Sequence, residues 1–325
     1  MLTNTLLFAG GLVLLLVGGR LLVSASVDTA RRLGVSPLVV GLTLVAWGTS
    51  APELALNLIS AFKSRGDLAL GNVVGANICN MALVLGVCAL IKPLTVEQRL
   101  INVEIWLNAA ILGAMSAAAL IFGLPRSLAG ALLLVFGIYS AWTIISALRT
   151  PVTSIGASPD MTDSSQNPAP MGWIQISACF IGGLVLLSVG GSLASDGASS
   201  IAIALGVPAA IVGVTIVSIG TTLPEMVTGV MAIRKGQTDL AMGNAIGSCL
   251  FNAGAIFGLT GIIAPVTIDA TFTAPLVYMG LLAIALIPIS RTFGKTVSRL
   301  EGALLLGSYV AVLAYSAVVA VAGAR

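Results

Sequence analysis

Apolar runs of twenty to thirty residues follow one another along almost the whole chain, separated by short polar turns. They lie near 3–27, 36–62, 68–91, 101–122, 128–148, 172–201, 208–233, 239–263, 272–290 and 301–322. About 20 helical residues cross a hydrocarbon core, and a backbone in lipid must satisfy its own hydrogen bonds. The pattern therefore predicts an all-α membrane protein of about ten transmembrane helices. The one long polar interval, 149–171, is rich in Ser, Pro, Thr and Asp. It reads as a cytoplasmic linker between two five-helix halves, 1–148 and 172–325. Asp160 and Asp163 within it lack the spacing and glycine of an EF-hand and read as a solvated loop.

Composition agrees with the pattern. Of 325 residues, 58% are hydrophobic and 8% charged, against about 25% charged in soluble domains. The formal charge of +3 says little about partners, but its placement orients the chain. With the N-terminus outside, the inner loops hold ten Lys and Arg (Arg31, Arg32, Lys92, Arg99, Arg149, Arg234, Lys235, Arg291, Lys295, Arg299), and the outer side holds four. The positive-inside rule then predicts both termini outside. No histidine is present, which removes the commonest proton shuttle and transition-metal ligand. Cys79, Cys88, Cys179 and Cys249 sit in apolar stretches without metal-site spacing and read as small core residues.

The chain repeats itself. A shift of 172 residues carries Gly41 onto Gly213, Gly48 onto Gly220, Pro52 onto Pro224, Glu53 onto Glu225, Asn72 onto Asn244 and Asn80 onto Asn252. Fifteen of the forty positions in 41–80 are identical to their counterparts, and most are Gly, Pro, Asn, Thr or Glu. Hydrophobic bias would match aliphatic residues instead. Five spans per half is an odd number, so the second copy inserts upside down, giving an inverted repeat with broken helices 2 and 7.

Each copy places Pro and Glu in the middle of an apolar span: Gly48-Thr49-Ser50-Ala51-Pro52-Glu53 and Gly220-Thr221-Thr222-Leu223-Pro224-Glu225. A carboxylate at membrane depth costs about 2.5–3.5 kcal/mol on insertion scales. Proline removes a helical donor and frees a carbonyl, while Thr49, Ser50, Thr221 and Thr222 add hydroxyl oxygens. Two carboxylates near one axis repel unless a proton or cation joins them. Oxygen ligands without histidine or convergent cysteine point to Ca2+, Na+ or another hard ion. Asn80 and Asn252, 27 residues after each Glu, can reach the same depth from the next helix. Asn72 and Asn244 fit either a ligand role or helix packing. Glu53 and Glu225 are the only acidic residues placed deep in a predicted span, and Asp67 and Asp239 read as helix N-terminal residues.

GTSAPE followed by GNVVGANICN, and GTTLPE followed by GNAIGSCLFN, resemble the two α-repeats of the cation/Ca2+ exchanger superfamily. The sodium/calcium exchanger-type prokaryotic branch, with ten helices, is the nearest in pattern. The resemblance implies a secondary antiporter that exchanges Ca2+ for Na+ by alternating access, in the plasma (inner) membrane. It implies carboxylate ligation by Glu53 and Glu225, with hydroxyl or carbonyl ligation at Ala46, Thr49, Ser50, Ser218, Thr221, Thr222 and Ser248, and Asn80 contributing from the third helix. It also implies that the first and sixth helices slide as a pair. Two positions depart from the family pattern. Ala76 stands where Ser is common, and Asn252 where some members have Asp, so the site carries two carboxylates rather than three.

The implied partners are Ca2+, Na+ and the bilayer, with no cofactor, nucleic acid or protein partner and no enzymatic activity. The sequence holds no Ser–His pair, paired catalytic Asp or zinc motif of an intramembrane protease. Inverted repeats with broken helices argue against a channel. Proton-coupled or K+-dependent exchange is the alternative. Leu54 and Met226 follow the elbow glutamates where the proton-coupled branch has His, which favours Na+.

Overall fold

The computed structural model describes residues 1–149, 171–208, 212, 216, 218–264, 266, 268 and 272–323. Most of the predicted linker, 150–170, lies outside the described residues, as does most of 209–217. The described chain is almost entirely helical. In order it forms α1 (Leu2–Leu33), α2 (Pro37–Thr49), α3 (Ala51–Phe62), α4 (Gly66–Ile91), α5 (Leu100–Ile121) and α6 (Arg126–Arg149). These are followed by α7 (Trp173–Ala204), α8 (Ser218–Thr221), α9 (Leu223–Arg234), α10 (Thr238–Ile263), α11 (Thr273–Ile289) and α12 (Arg299–Gly323). By length and composition, six helices are able to cross a membrane: α1, α4, α5, α6, α7 and α10. The α2–α3 pair, bent by 47°, makes a seventh.

Burial separates centre from periphery. In α4 and α10, 78% of the most apolar stretch is buried, against 33% in α1 and α6 and 28% in α7. Large apolar side chains of the outer helices, such as Leu6, Val13, Leu134, Ile138, Ile174, Ile181 and Leu304, face outward. A contiguous apolar exterior of this extent suits lipid rather than water.

Small residues let the backbones meet, the usual device where water supplies no drive for helix association. A Cβ on Gly11 of α1 would come 2.7 Å from the Gly190 carbonyl of α7, and one on Gly18 would come 2.8 Å from that of Gly183. The 172-residue shift exchanges these two contacts, because it carries Gly11 onto Gly183 and Gly18 onto Gly190. The α2–α10 crossing is equally close. There a Cβ on Gly41 would meet the Leu240 carbonyl at 2.7 Å, and one on Gly243 the Leu38 carbonyl at 2.6 Å. Behind it, Trp47, Phe136 and Phe251 pack with ring centroids 5.7–6.2 Å apart.

The loops fall into two groups. Strands β1 (Leu94–Thr95) and β2 (Thr296–Val297) form a short antiparallel ladder. Thr95 and Thr238 share a hydroxyl hydrogen bond of 2.7 Å, Lys235 donates to Ser24, and the Met171 N–H donates to Asp28. The five loops that the charge count assigned to the inside are thereby joined on one face. Leu124 bridges Val266 between the α5–α6 and α10–α11 loops, and the shift relates this pairing to the β1–β2 ladder.

Candidate cation site

The site is organised by two helix starts. At Ser50 (φ −87°, ψ 8°) α2 stops and α3 begins, and at Thr222 (φ −92°, ψ 3°) the same break separates α8 from α9. Pro52 and Pro224 occupy the second position of their helices, within the first turn, where a missing N–H costs nothing. Glu53 and Glu225 therefore fall in the first turn of their helices. The N-terminal end of a helix favours negative charge by about 0.3–1 kcal/mol, more when partly buried. That offsets only part of the cost of placing a carboxylate at this depth.

The two carboxylates are buried, at 2% and 1% exposure. Ser50 donates to Glu225 Oε1 at 3.0 Å, which ties the first elbow to the second. Thr49 donates to Asn244 Oδ1 at 3.3 Å, and Asn244 Nδ2 donates to the Glu225 backbone carbonyl at 3.4 Å. Among the described residues, both oxygens of Glu53 and Oε2 of Glu225 have no hydrogen-bond partner. Unpaired buried carboxylate oxygens are strongly unfavourable.

Glu104 supplies the control. It is fully buried at the start of α5, yet Arg99 Nε lies 3.2 Å from its Oε1, the Tyr139 hydroxyl donates to that oxygen at 3.2 Å, and Arg99 stacks over Trp142 at 5.1 Å. The sequence pattern placed this acid near a span end, and the structure shows it buried with its own cation. Among the described residues, Glu53 and Glu225 have no such partner. Among the described residues no third His, Cys, Asp or Glu joins them in a metal-holding group.

Neutral oxygens come from α4 and α10. Asn80 and Asn252 are buried, and both polar side-chain atoms of each are unpartnered, as is the Ser248 hydroxyl. Each Asn lies at the start of a π-helical stretch, Cys79–Val84 and Asn252–Ile256. Single π turns recur at functional sites because the extra residue re-aims the side chains around it.

The structure thus brings Glu225, Ser50, Thr49 and Asn244 into one bonded network, and among the described residues the side chains of Glu53, Asn80, Asn252 and Ser248 are buried and unpartnered. Thr222 is buried and donates to its own helix at Ile219, 3.0 Å away, while Thr221 is half-buried. Ala46 is buried, and its carbonyl accepts from the Ser50 N–H at 3.1 Å. The side chain of Ser218 lies outside the described residues. Asn244, which the sequence left between packing and ligation, binds both elbows. The paired π turns carried no signal in the residue pattern.

A family model described as sodium/calcium exchanger protein matches residues 3–145 and again 176–318. The chain is 35% identical over 316 residues to the putative antiporter CaxA of Alkalimonas amylolytica, covering 95% of this chain and 97% of that one. It is 32% identical over 344 residues to the sodium/calcium exchanger MaX1 of Methanosarcina acetivorans, covering 95% and 97%. A solved structure of the sodium-calcium exchanger NCX_Mj, soaked with 2.5 mM Na+ and 0.1 mM Ca2+, superposes with a TM-score of 0.81 at 27% identity, covering 97% and 98%.

Proposed function

The chain belongs to the sodium/calcium exchanger family, a family of membrane transporters, and from that premise we propose that it exchanges Ca2+ for Na+ by alternating access to one site between Glu53 and Glu225. The observation that carries this reading is the pair of buried carboxylates without a protein cation, beside Glu104, which has one. Unpartnered oxygens number two from Glu53 and one each from Glu225, Asn80, Asn252 and Ser248. That is a suitable donor set for Ca2+, which takes about 6–8 oxygens. Two carboxylates balance one divalent ion, or two Na+ in its place, and such substitution is what coupled exchange requires.

Ala46, Thr49, Thr221, Thr222 and Ser218 line the elbows in this reading, and their hydroxyls and carbonyls take part as each elbow adjusts to the smaller charge of Na+. Ten spans in two inverted halves, 1–148 and 172–325 joined by 149–171, supply the symmetry for exposing the site to each side. The double match of one family model and the exchanged Gly11–Gly190 and Gly18–Gly183 contacts support that arrangement. Charge placement favours both termini outside.

Proteoliposomes loaded with Na+ take up Ca2+ when external Na+ is lowered, and Glu53→Gln and Glu225→Gln each abolish the uptake. Uptake that ignores Na+ and follows a proton or K+ gradient would overturn the Na+ assignment. Uptake retained in both Gln variants would overturn the site.

A further inference from the structure

The halves α3 and α9 are counterparts under the repeat, but they are covered differently. Gly19 of α1 lies against α9, where a Cβ would come 3.0 Å from Val227 and 3.3 Å from Met231. Its counterpart on α7, Gly191, faces the elbow instead, with the Gly220 carbonyl and Pro224 at 3.5 Å. Ala55 and Ile59 of α3, which match Val227 and Met231, are exposed, Ile59 by 54%. A cavity of about 240 Å3 separates α7 from α3, lined by Pro52, Ser188, Ser192, Ser195, Asp196 and Thr221 among others. Among the described residues, one face is shut by α1 against α9, and the other stands open between α7 and α3.

The shut face carries a fastening. Lys235, in the turn after α9, donates to Ser24 of α1. Asp28, one turn further along α1, attracts the same ammonium, and Arg20 repels it. Lys63, the counterpart of Lys235, sits on a matching turn after α3. The two lysines have φ/ψ of −88°/12° and −90°/8°. Left-handed residues follow them, Ser64 (φ 58°) and Gly236 (φ 72°). The next N–H groups, Arg65 to Ser60 and Gln237 to Ala232, each close at 2.9 Å. The counterpart of Ser24 is Asp196. Lys63 and Asp196 are both exposed, and the ion pairs among the described residues are Arg31–Asp28 and Arg99–Glu104.

We propose that Lys63 and Asp196 are a second fastening, an ion pair that forms when α7 closes over α3 and the Lys235–Ser24 contact opens. The inference rests on the alternating-access reading and names residues that hold the opposite face shut. A serine on one helix and an aspartate on the other make the two fastenings unequal. The second is an ion pair, so it weakens with salt. In the open state Asp196 lines the cavity and is in contact with solvent, and closure takes it out of the cation path.

The test reads conformation rather than flux, so it can fail while Na+/Ca2+ exchange stands. Ser192→Cys in a Cys179→Ala background places a thiol in the cavity. Its modification by a neutral, membrane-impermeant maleimide is followed with Na+ and Ca2+ on both sides. Adding Lys63→Gln or Asp196→Asn raises the rate about two- to five-fold, the range an exposed ion pair reaches, and the two together raise it no further. Exchanging the charges, Lys63→Asp with Asp196→Lys, returns the rate toward the starting value. Unchanged rates in both single variants, or additive increases without recovery on charge exchange, would overturn the proposal.

Discussion

The helix crossing beside the elbow occurs twice in the sequence, and one copy alone carries aromatic residues behind it. Where α2 crosses α10, Gly41, Gly243 and Gly247 bring the backbones together, and Trp47, Phe136 and Phe251 fill the space behind. The shift places 209–221 against α4 at the related crossing, and most of 209–217 lies outside the described residues. The residues matching the three rings are Ile219, Ser308 and Cys79. Symmetric ligand positions therefore rest on unequal supports. Aromatic packing pins one crossing, and the other has no ring at the matching positions.

The largest expected effect tests whether the unequal supports still serve one site. Glu53→Gln and Glu225→Gln each lower Na+-dependent Ca2+ uptake by at least about a hundred-fold, beyond what losing a supporting residue around a metal costs. A loss in only one of them would mean that the elbows act separately. Next comes the packing itself. Gly247→Ala sets a methyl 2.7 Å from the Leu42 backbone and destabilises by about 1–3 kcal/mol. Thermal unfolding in detergent measures it, and an unchanged midpoint would show that the α2–α10 crossing is not closely packed. Ser50→Ala removes the hydroxyl that Glu225 accepts from and weakens Ca2+ binding about ten-fold, read by equilibrium binding.

The smallest effect concerns the shut face. Burial there holds the Glu97 carboxyl above its usual range, the neighbouring Asp239 adds to this, and Arg99 opposes it. A raised folded-state value means that the charged form is disfavoured on folding. The contribution of Glu97 is therefore fully present below the unfolded carboxyl value and is lost as pH rises through the folded one. Glu97→Gln flattens the pH dependence of stability in that window. An unchanged profile would show that burial does not raise the carboxyl there.

Much of this architecture was legible because its signals are local. Pro52 and Pro224 cannot continue a helix, so the breaks and the first-turn placement of Glu53 and Glu225 followed from residue type. Asn80 and Asn252 were singled out because the repeat keeps their distance from each Glu. The glycines joining α1 to α7 obey the same shift, from Gly10, Gly11, Gly18 and Gly19 to Gly182, Gly183, Gly190 and Gly191, but they lie in glycine-rich apolar runs where identity means less. Other features depend on tertiary contact. The π turns at Cys79–Val84 and Asn252–Ile256, the Thr49–Asn244 bond and the burial of Glu104 against Arg99 have no pattern of their own. Nor can a repeated sequence state which face is open, since each half encodes both conformations.

Equilibrium binding of radiolabelled Ca2+ to the purified protein, titrated with Na+, tests the central claim most directly. A single site between Glu53 and Glu225 predicts that Na+ displaces bound Ca2+ completely and cooperatively, and that neither Gln variant binds it. Ca2+ that stays bound at saturating Na+, or that binds Glu53→Gln and Glu225→Gln as it binds the unaltered protein, would contradict the account.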